Sequence, residues 1–177
     1  MLFALTFSPL PARAAEGVEI TRASLEHSDA GYRLVISFAF DLNRGLEDAI
    51  MRGIPLYFTT DVELTRPRWY WLDEKIVDTS QTIRISYDVL TRQYRAAISG
   101  GLQHSFNTLE DALSLVKQPG RWQITERGVL KPGETYNLAV RMGLDIGRLP
   151  KPFQVNALNN SDWRLSSDWK QFNFKAE

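Results

Sequence analysis

The sequence predicts a mainly β domain of the α+β class: an antiparallel β-sandwich, immunoglobulin-like in architecture, with two short helices. Large apolar residues fall at every second position in five segments, which puts them on one face of a strand. Polar residues occupy the positions between them, so each sheet has one buried face and one wet face, as antiparallel sheets commonly do. Turn signals separate these segments. A closed β-barrel of about eight strands is the alternative.

The alternating segments define the predicted strands. They are residues 32–42, 56–64, 83–89, 94–98 and 136–146. Residues 28–31, 99–101 and 131–134 are rich in Gly, Pro, Ser and Asp and predict turns.

Two segments break the period of two and predict helices. Residues 46–51 are followed by Gly53, a helix stop signal. Asn107 and Glu110 resemble a capping box at the start of the second helix, with Asn107 as its N-cap. Its apolar stripe would be Leu109, Leu113 and Val116, and Pro119-Gly120 would end it.

The first residues indicate export. An apolar run at 2–7 is followed by prolines and by Ala12-Arg13-Ala14, whose two alanines fit the pockets of a signal peptidase. We expect residues 1–14 to be a signal peptide, cleavage after Ala14, and a periplasmic location. No basic residue precedes the apolar run, so we expect the start of this peptide to be truncated. Residues 15–177 would then form a single β-rich domain.

Composition excludes several classes of protein. The chain has 21 Lys and Arg and 21 Asp and Glu, and losing Arg13 leaves 20 against 21, a net charge near −1. A nucleic-acid binder would have a basic excess, so no nucleic-acid partner is expected. The absence of cysteine excludes disulfides, thiol catalysis and cysteine metal sites. No stretch approaches the roughly 20 apolar residues of a membrane span, so we expect a chain that does not span the membrane. We also expect a monomer.

Residues with catalytic or metal-binding chemistry are sparse. The only histidines, His27 and His104, lack a Gly-x-Ser-x-Gly motif or a paired-histidine spacing. Asp61 with Glu63, and Asp73 with Glu74, are candidate carboxylate pairs for glycan cleavage, but solvated strand and turn carboxylates are the usual case. We therefore expect no enzyme, no metal and no cofactor.

The densest unusual segment contains Arg66, Arg68, Trp69, Tyr70 and Trp71. On a strand, Trp69 and Trp71 would share one face and Arg68 and Tyr70 the other. We expect the tryptophans to fill the core, as tryptophans on strands commonly do. The alternative is an exposed aromatic platform that stacks on sugars or holds a partner protein, with the arginines supplying anion contacts.

The candidate binding surface consists of the five residues just named and of Arg148 and Lys151, which lie in a second unusual segment. Pro150 and Pro152 flank Lys151 and predict a stiff, extended turn. We expect this turn to cross from one sheet to the other. A recognition loop is the alternative.

Motifs along nearly the whole chain after residue 14 resemble a domain-of-unknown-function family of exported proteins from Gram-negative bacteria, number 4390. They are Gly53-Ile54-Pro55-Leu56, Arg68-Trp69-Tyr70-Trp71, Ser86-Tyr87, Leu90-Thr91-Arg92-Gln93-Tyr94, Leu149-Pro150-Lys151-Pro152, Asp162-Trp163 and Ser166-Ser167-Asp168-Trp169. The resemblance implies a periplasmic or envelope location. It also implies genes that often lie beside a sensor histidine kinase of the nitrogen-regulation type, and it carries no catalytic or ligand residues.

The function predicted from these features is a non-catalytic periplasmic interaction module that contacts an envelope protein, with the extracytoplasmic part of a sensor kinase as the specific expectation. A carrier of a small apolar ligand or lipid, built on a closed barrel, is the main alternative. A cell-wall glycan hydrolase is the third hypothesis.

Overall fold

The computed structural model of the protein describes residues 17–177. The predicted signal peptide, residues 1–14, lies outside the described residues. In the described part the chain forms nine β-strands, three α-helices and two 3₁₀ turns. None of the helices in this part is long and apolar enough to cross a membrane.

The strands account for most of the regular structure. They are β1 (Glu19–Ser28), β2 (Gly31–Ala39), β3 (Leu56–Arg66), β4 (Glu74–Asp88), β5 (Gln93–Ile98), β6 (Gln103–Phe106), β7 (Arg121–Glu126), β8 (Thr135–Leu144) and β9 (Lys170–Lys175). One sheet has the order β1-β2-β7, the other the order β6-β5-β4-β3-β8-β9, and every pair is antiparallel.

The two sheets form a β-sandwich, as the sequence predicts. The barrel alternative is wrong, because β6 and β9, the two ends of the larger sheet, do not pair with each other. The smaller sheet meets the larger one near β9, where Lys170 Nζ donates to the main-chain oxygen of Ile20 over 2.8 Å.

Apolar side chains of both sheets fill the space between the layers. In β3 the residues at even positions from Leu56 to Leu64 are buried and those between them are half-buried. The same alternation holds in β2 and β8, where Leu34, Ile36, Leu138 and Val140 are buried. This is the predicted period of two, and each of the buried Val, Leu, Ile and Phe side chains contributes roughly 1.5–3 kcal/mol by leaving water.

Two helices lie close to where the sequence predicts them. The first, α1 (Arg44–Met51), is followed by Gly53 with φ +83°. The second, α2 (Leu109–Lys117), begins one residue later than predicted: its N-cap is Thr108, whose side chain accepts the N–H of Asp111. The Asn107 cap is therefore wrong, because a hydroxyl one residue further along reaches the same turn.

The third helix is α3 (Lys151–Asn159). The predicted extended crossing turn at Pro150, Lys151 and Pro152 is therefore wrong, because these residues begin this helix. Pro150 is its N-cap and Pro152 lies in its first turn. The N–H groups of a first helical turn have no intrahelical partner, so proline is tolerated there and its fixed φ suits the helix. Proline here begins a helix.

The strands β3 and β4 form the longest hairpin of the described residues. β4 pairs with β3 from Ile85 back to Glu74, but with β5 only from Ile83 onward. The first half of β4 therefore has a strand partner on one side only, and the hairpin carries its connecting loop to one end of the sheet.

Replacement of Leu64 by alanine is expected to destabilise the fold by about 2–5 kcal/mol, because a fully buried side chain leaves a cavity. Urea unfolding measures the difference. The matched control is Leu90→Ala, the same chemical change at a side chain that is 95% exposed, which should stay within about 0.5 kcal/mol of wild type. Equal effects of the two substitutions would contradict the assignment of the core.

Candidate functional site

The candidate site is the loop that joins β3 to β4, residues 67–73, which we call the hairpin tip. The β3–β4 ladder stops at the pair Arg66 and Glu74. Pro67 follows directly, and proline has no N–H with which to continue a ladder. The tip therefore begins where the sequence first prevents strand pairing.

The tip exposes four large side chains in succession. Trp69 is 94% exposed, Tyr70 65%, Trp71 73% and Leu72 80%. Our predictions that Trp69 and Trp71 share a strand face and fill the core are both wrong. Pro67 ends the strand before them, and no layer of the described chain covers the loop.

The rings of Trp69 and Tyr70 do not form a flat platform. The ring of Trp69 meets that of Tyr70 edge to face, with 5.3 Å between centroids and 75° between planes. This is a favourable geometry for an aromatic pair. Together with Trp71 and Leu72, this pair forms the exposed apolar surface of the tip, which we call the apolar cap.

Ion pairs hold the base of the tip. Arg66 donates from Nη1 to Oε2 of Glu134 over 2.9 Å and from Nη2 to Oε2 of Glu74. Arg68, inside the tip, reaches the same oxygen of Glu74 over 2.6 Å. We call these four residues the ion-paired base.

The base is connected to the core through Tyr136. Its ring is buried, while its hydroxyl donates to Oε2 of Glu134 over 3.3 Å and accepts the main-chain N–H of Lys131 over 2.9 Å. Arg66 thus links the hairpin to the turn before β8, which Tyr136 fixes in place.

The arginines change the titration of the two carboxylates. Hydrogen bonds from Arg68 and then Arg66 hold the pKa of Glu74 below its usual range. A hydrogen bond from Arg66, with a smaller one from Tyr136, lowers the pKa of Glu134 in the same way. Both glutamates are therefore charged at neutral pH and balance the charges of Arg66 and Arg68.

A shallow hollow of about 300 Å³ lies between the tip and the start of β8. Arg66, Arg68, Trp69 and Glu134 contribute to its wall. Its charged groups are paired with one another in the ion-paired base, so the exposed apolar surface of this region belongs to the residues of the tip.

The structure separates the two segments of the predicted binding surface. Arg66, Arg68, Trp69, Tyr70 and Trp71 lie at one end of β3. Arg148 and Lys151 follow Asp145, whose N–H donates to the oxygen of Tyr57 at the other end. Nine residues of strand separate these ends, roughly 30 Å. The seven residues therefore do not form one surface.

The residues with candidate catalytic chemistry are dispersed. His27 lies edge-on to Tyr32 in the smaller sheet, and His104 is exposed on β6 in the larger sheet. No group of three or more His, Asp or Glu side chains within residues 17–177 could hold a metal ion.

Three of the four candidate carboxylates for glycan cleavage are held in ion pairs, and the fourth, Asp73, lies exposed in the hairpin tip. Asp61 accepts from Arg141 over 2.7 Å, and Glu63 from Lys75 over 3.2 Å. Arg141 also lies 4.8 Å from the ring of Trp169, beside an open hollow of about 490 Å³ on the outer face of the larger sheet. Glu74 belongs to the base of the tip.

Sequence reasoning missed three residues of this site. Leu72 extends the run of aromatic residues, and four consecutive large apolar residues are a signal against a half-buried strand, which needs alternation. Glu134 and Tyr136 gave no such signal. Glu134 lies 68 residues from Arg66 along the chain, and only the pairing of β3 with β8 brings them together.

The fold and the site define a class of protein: a two-sheet antiparallel β-protein with an exposed apolar hairpin tip. The chain belongs to the family described as domain of unknown function DUF4390, whose model matches residues 15–173. This confirms the resemblance. No curated protein and no solved structure matches the chain.

The ion-paired base should make stability depend on pH. A carboxylate with a lowered pKa stabilises the fold above its unfolded pKa, about 4.3 for glutamate, and the effect is lost as pH falls through the folded value. We expect the melting temperature of wild type to fall more steeply below about pH 4.3 than that of Glu74→Gln or Glu134→Gln. Glu126→Gln, at the exposed end of β7, is the control and should follow wild type. Parallel curves for wild type and the two base variants would contradict this role.

Proposed function

We propose that the protein is an exported, periplasmic, non-catalytic interaction module that docks on a component of the cell envelope through its hairpin tip. The observation that carries this proposal is the set of four exposed side chains of the tip above an ion-paired base. Large exposed apolar patches on otherwise polar proteins mark sites of interaction with proteins or membranes.

The base supports this proposal because it anchors both ends of the tip before any partner arrives. Side chains that are already positioned lose less conformational entropy on binding. Tryptophan and tyrosine also contribute large contact areas with few rotatable bonds, which is why they dominate binding hot spots.

Location and partner are parts of the same proposal. The small residues at Ala12 and Ala14 support export. The gene neighbourhood that the family resemblance implies supports an accessory role beside an envelope sensor kinase. A kinase of this kind would place the module close to the membrane surface.

No specific observation favours the carrier hypothesis or the hydrolase hypothesis. The carrier hypothesis was built on a closed barrel, and the described residues form two open sheets. The hydrolase hypothesis needs two free carboxylates facing one cleft, whereas Asp61, Glu63 and Glu74 each lie in an ion pair with a basic residue.

Envelope vesicles, with their lipids and proteins, test the docking. Wild-type protein should co-sediment with vesicles from Gram-negative cells, and the double variant Trp69→Ala/Trp71→Ala should bind on the order of tenfold more weakly. The matched control is Val89→Ala/Leu90→Ala, which removes exposed apolar side chains from the opposite end of β4 and should bind like wild type. Equal binding of the tip variant and wild type would overturn the proposal.

Export has its own test. The chain produced in a Gram-negative host with a basic leading segment added before Met1 should reach the periplasm with Ala15 as its first residue. Intact mass of the periplasmic fraction measures this. An Ala12→Arg/Ala14→Arg variant should remain uncleaved, and an uncleaved wild-type chain in the cytoplasm would contradict export.

A further inference from the structure

We propose that the hairpin tip is an anchor for the interface of a lipid bilayer. The inference rests on the proposed function and names the envelope component that the tip contacts. In the bound state Trp69, Tyr70, Trp71 and Leu72 enter the headgroup layer, and the ion-paired base stays at its aqueous boundary.

The side chains of the tip have the chemistry of this layer. Tryptophan and tyrosine carry an apolar ring and one polar group, and both concentrate at membrane–water interfaces for that reason. Three of the four exposed side chains are of these two types, and the fourth, Leu72, is purely apolar and 80% exposed.

The height of the tip matches the thickness of the layer. Four steps along the chain lead from Arg66 or from Glu74 to the apex near Tyr70, which limits the projection to about 13 Å. The interfacial region on each side of a bilayer is several ångströms thick, and apolar faces of interfacial segments are buried by about 5–10 Å. The tip is thus long enough to enter the headgroups and too short to cross the hydrocarbon.

The charges at the base favour a neutral lipid surface. Arg66 and Arg68 are balanced by Glu74 and Glu134, and the pairs Arg66–Glu134 and Arg68–Glu74 have contacts of 2.9 and 2.6 Å. Paired charges offer little attraction to anionic lipids, whose effect depends on a basic excess. Insertion of the apolar cap would therefore drive binding, with little dependence on salt.

The main chain of the tip favours hydrated headgroups over a dry protein cavity. Residues 69 and 70 form a local turn, and between residues 68 and 72 the main chain forms no backbone–backbone hydrogen bond with any other segment of the described chain, 17–177. Burial of such groups away from water is costly unless partners are supplied. The headgroup layer supplies water and polar groups, whereas a protein pocket would have to match each group individually.

Protein-free vesicles test this inference. Wild-type protein should bind phosphatidylcholine vesicles and mixed vesicles with phosphatidylglycerol to a similar extent, at low and at high salt. Trp69→Ala/Trp71→Ala should bind at least about tenfold more weakly, because this double variant removes most of the inserted apolar area. Brominated acyl chains should quench tryptophan fluorescence in wild type and much less in Trp69→Phe/Trp71→Phe, which retains much of the apolar surface.

Val89→Ala/Leu90→Ala again serves as the matched control and should bind vesicles like wild type. No binding of wild type to protein-free vesicles, or binding that the tip variant retains, would overturn the inference. Binding that requires phosphatidylglycerol and disappears in salt would also overturn it, because that contact would be electrostatic. If envelope vesicles bind through the tip while lipid vesicles do not, the proposed function stands with a protein partner. If neither binds, both proposals fail.

Discussion

Burial of one face of β3 is the constraint on which the rest of the structure depends. This strand pairs with β4 on one side and β8 on the other, and its side chains at alternate positions lie in the core. A slip of one residue would turn every buried side chain of the strand to the outside, so the register is strongly specified. That register places Arg66 at the end of the ladder, opposite Glu74 and within reach of Glu134. The position of the tip thus follows from the packing of the core.

The tip places apolar area in water without support from the core. Four large exposed side chains in a row favour aggregation, a cost that natural surfaces usually avoid. The structure limits this cost by confining the run to a loop of seven residues and by surrounding its base with charged side chains. Open strand edges are a similar hazard, and the free half of β4 carries Lys75 and Asp78, charges of the kind that discourage edge pairing. An apolar surface retained under such restraint is consistent with a role in binding.

Local sequence signals predicted elements well where a single physical rule decided them. The alternation in β2, β3 and β8 was recognisable because one face of each is buried. In β4 and β5 the pattern is weaker, since only Ile83, Ile85 and Ala96 of the predicted apolar positions are buried. The Gly53 stop was recognisable because glycine adopts a positive φ readily. Prediction failed where two rules competed. Pro150 and Pro152 suit either an extended turn or a first helical turn, and the packing of Ala157 selects the helix.

The sequence by itself determined the class of fold, because a period of two in apolar residues forces strands to share a buried face. It also identified the segment from Arg66 to Trp71 as unusual, from composition alone. Only the tertiary structure decided that the tryptophans are exposed, because burial depends on whether another layer covers them. It also decided that Glu134 and Tyr136 hold the base of the tip while Arg148 and Lys151 lie at the far end of the sheet. Distances between residues remote in sequence arise from strand pairing, and no local pattern encodes them.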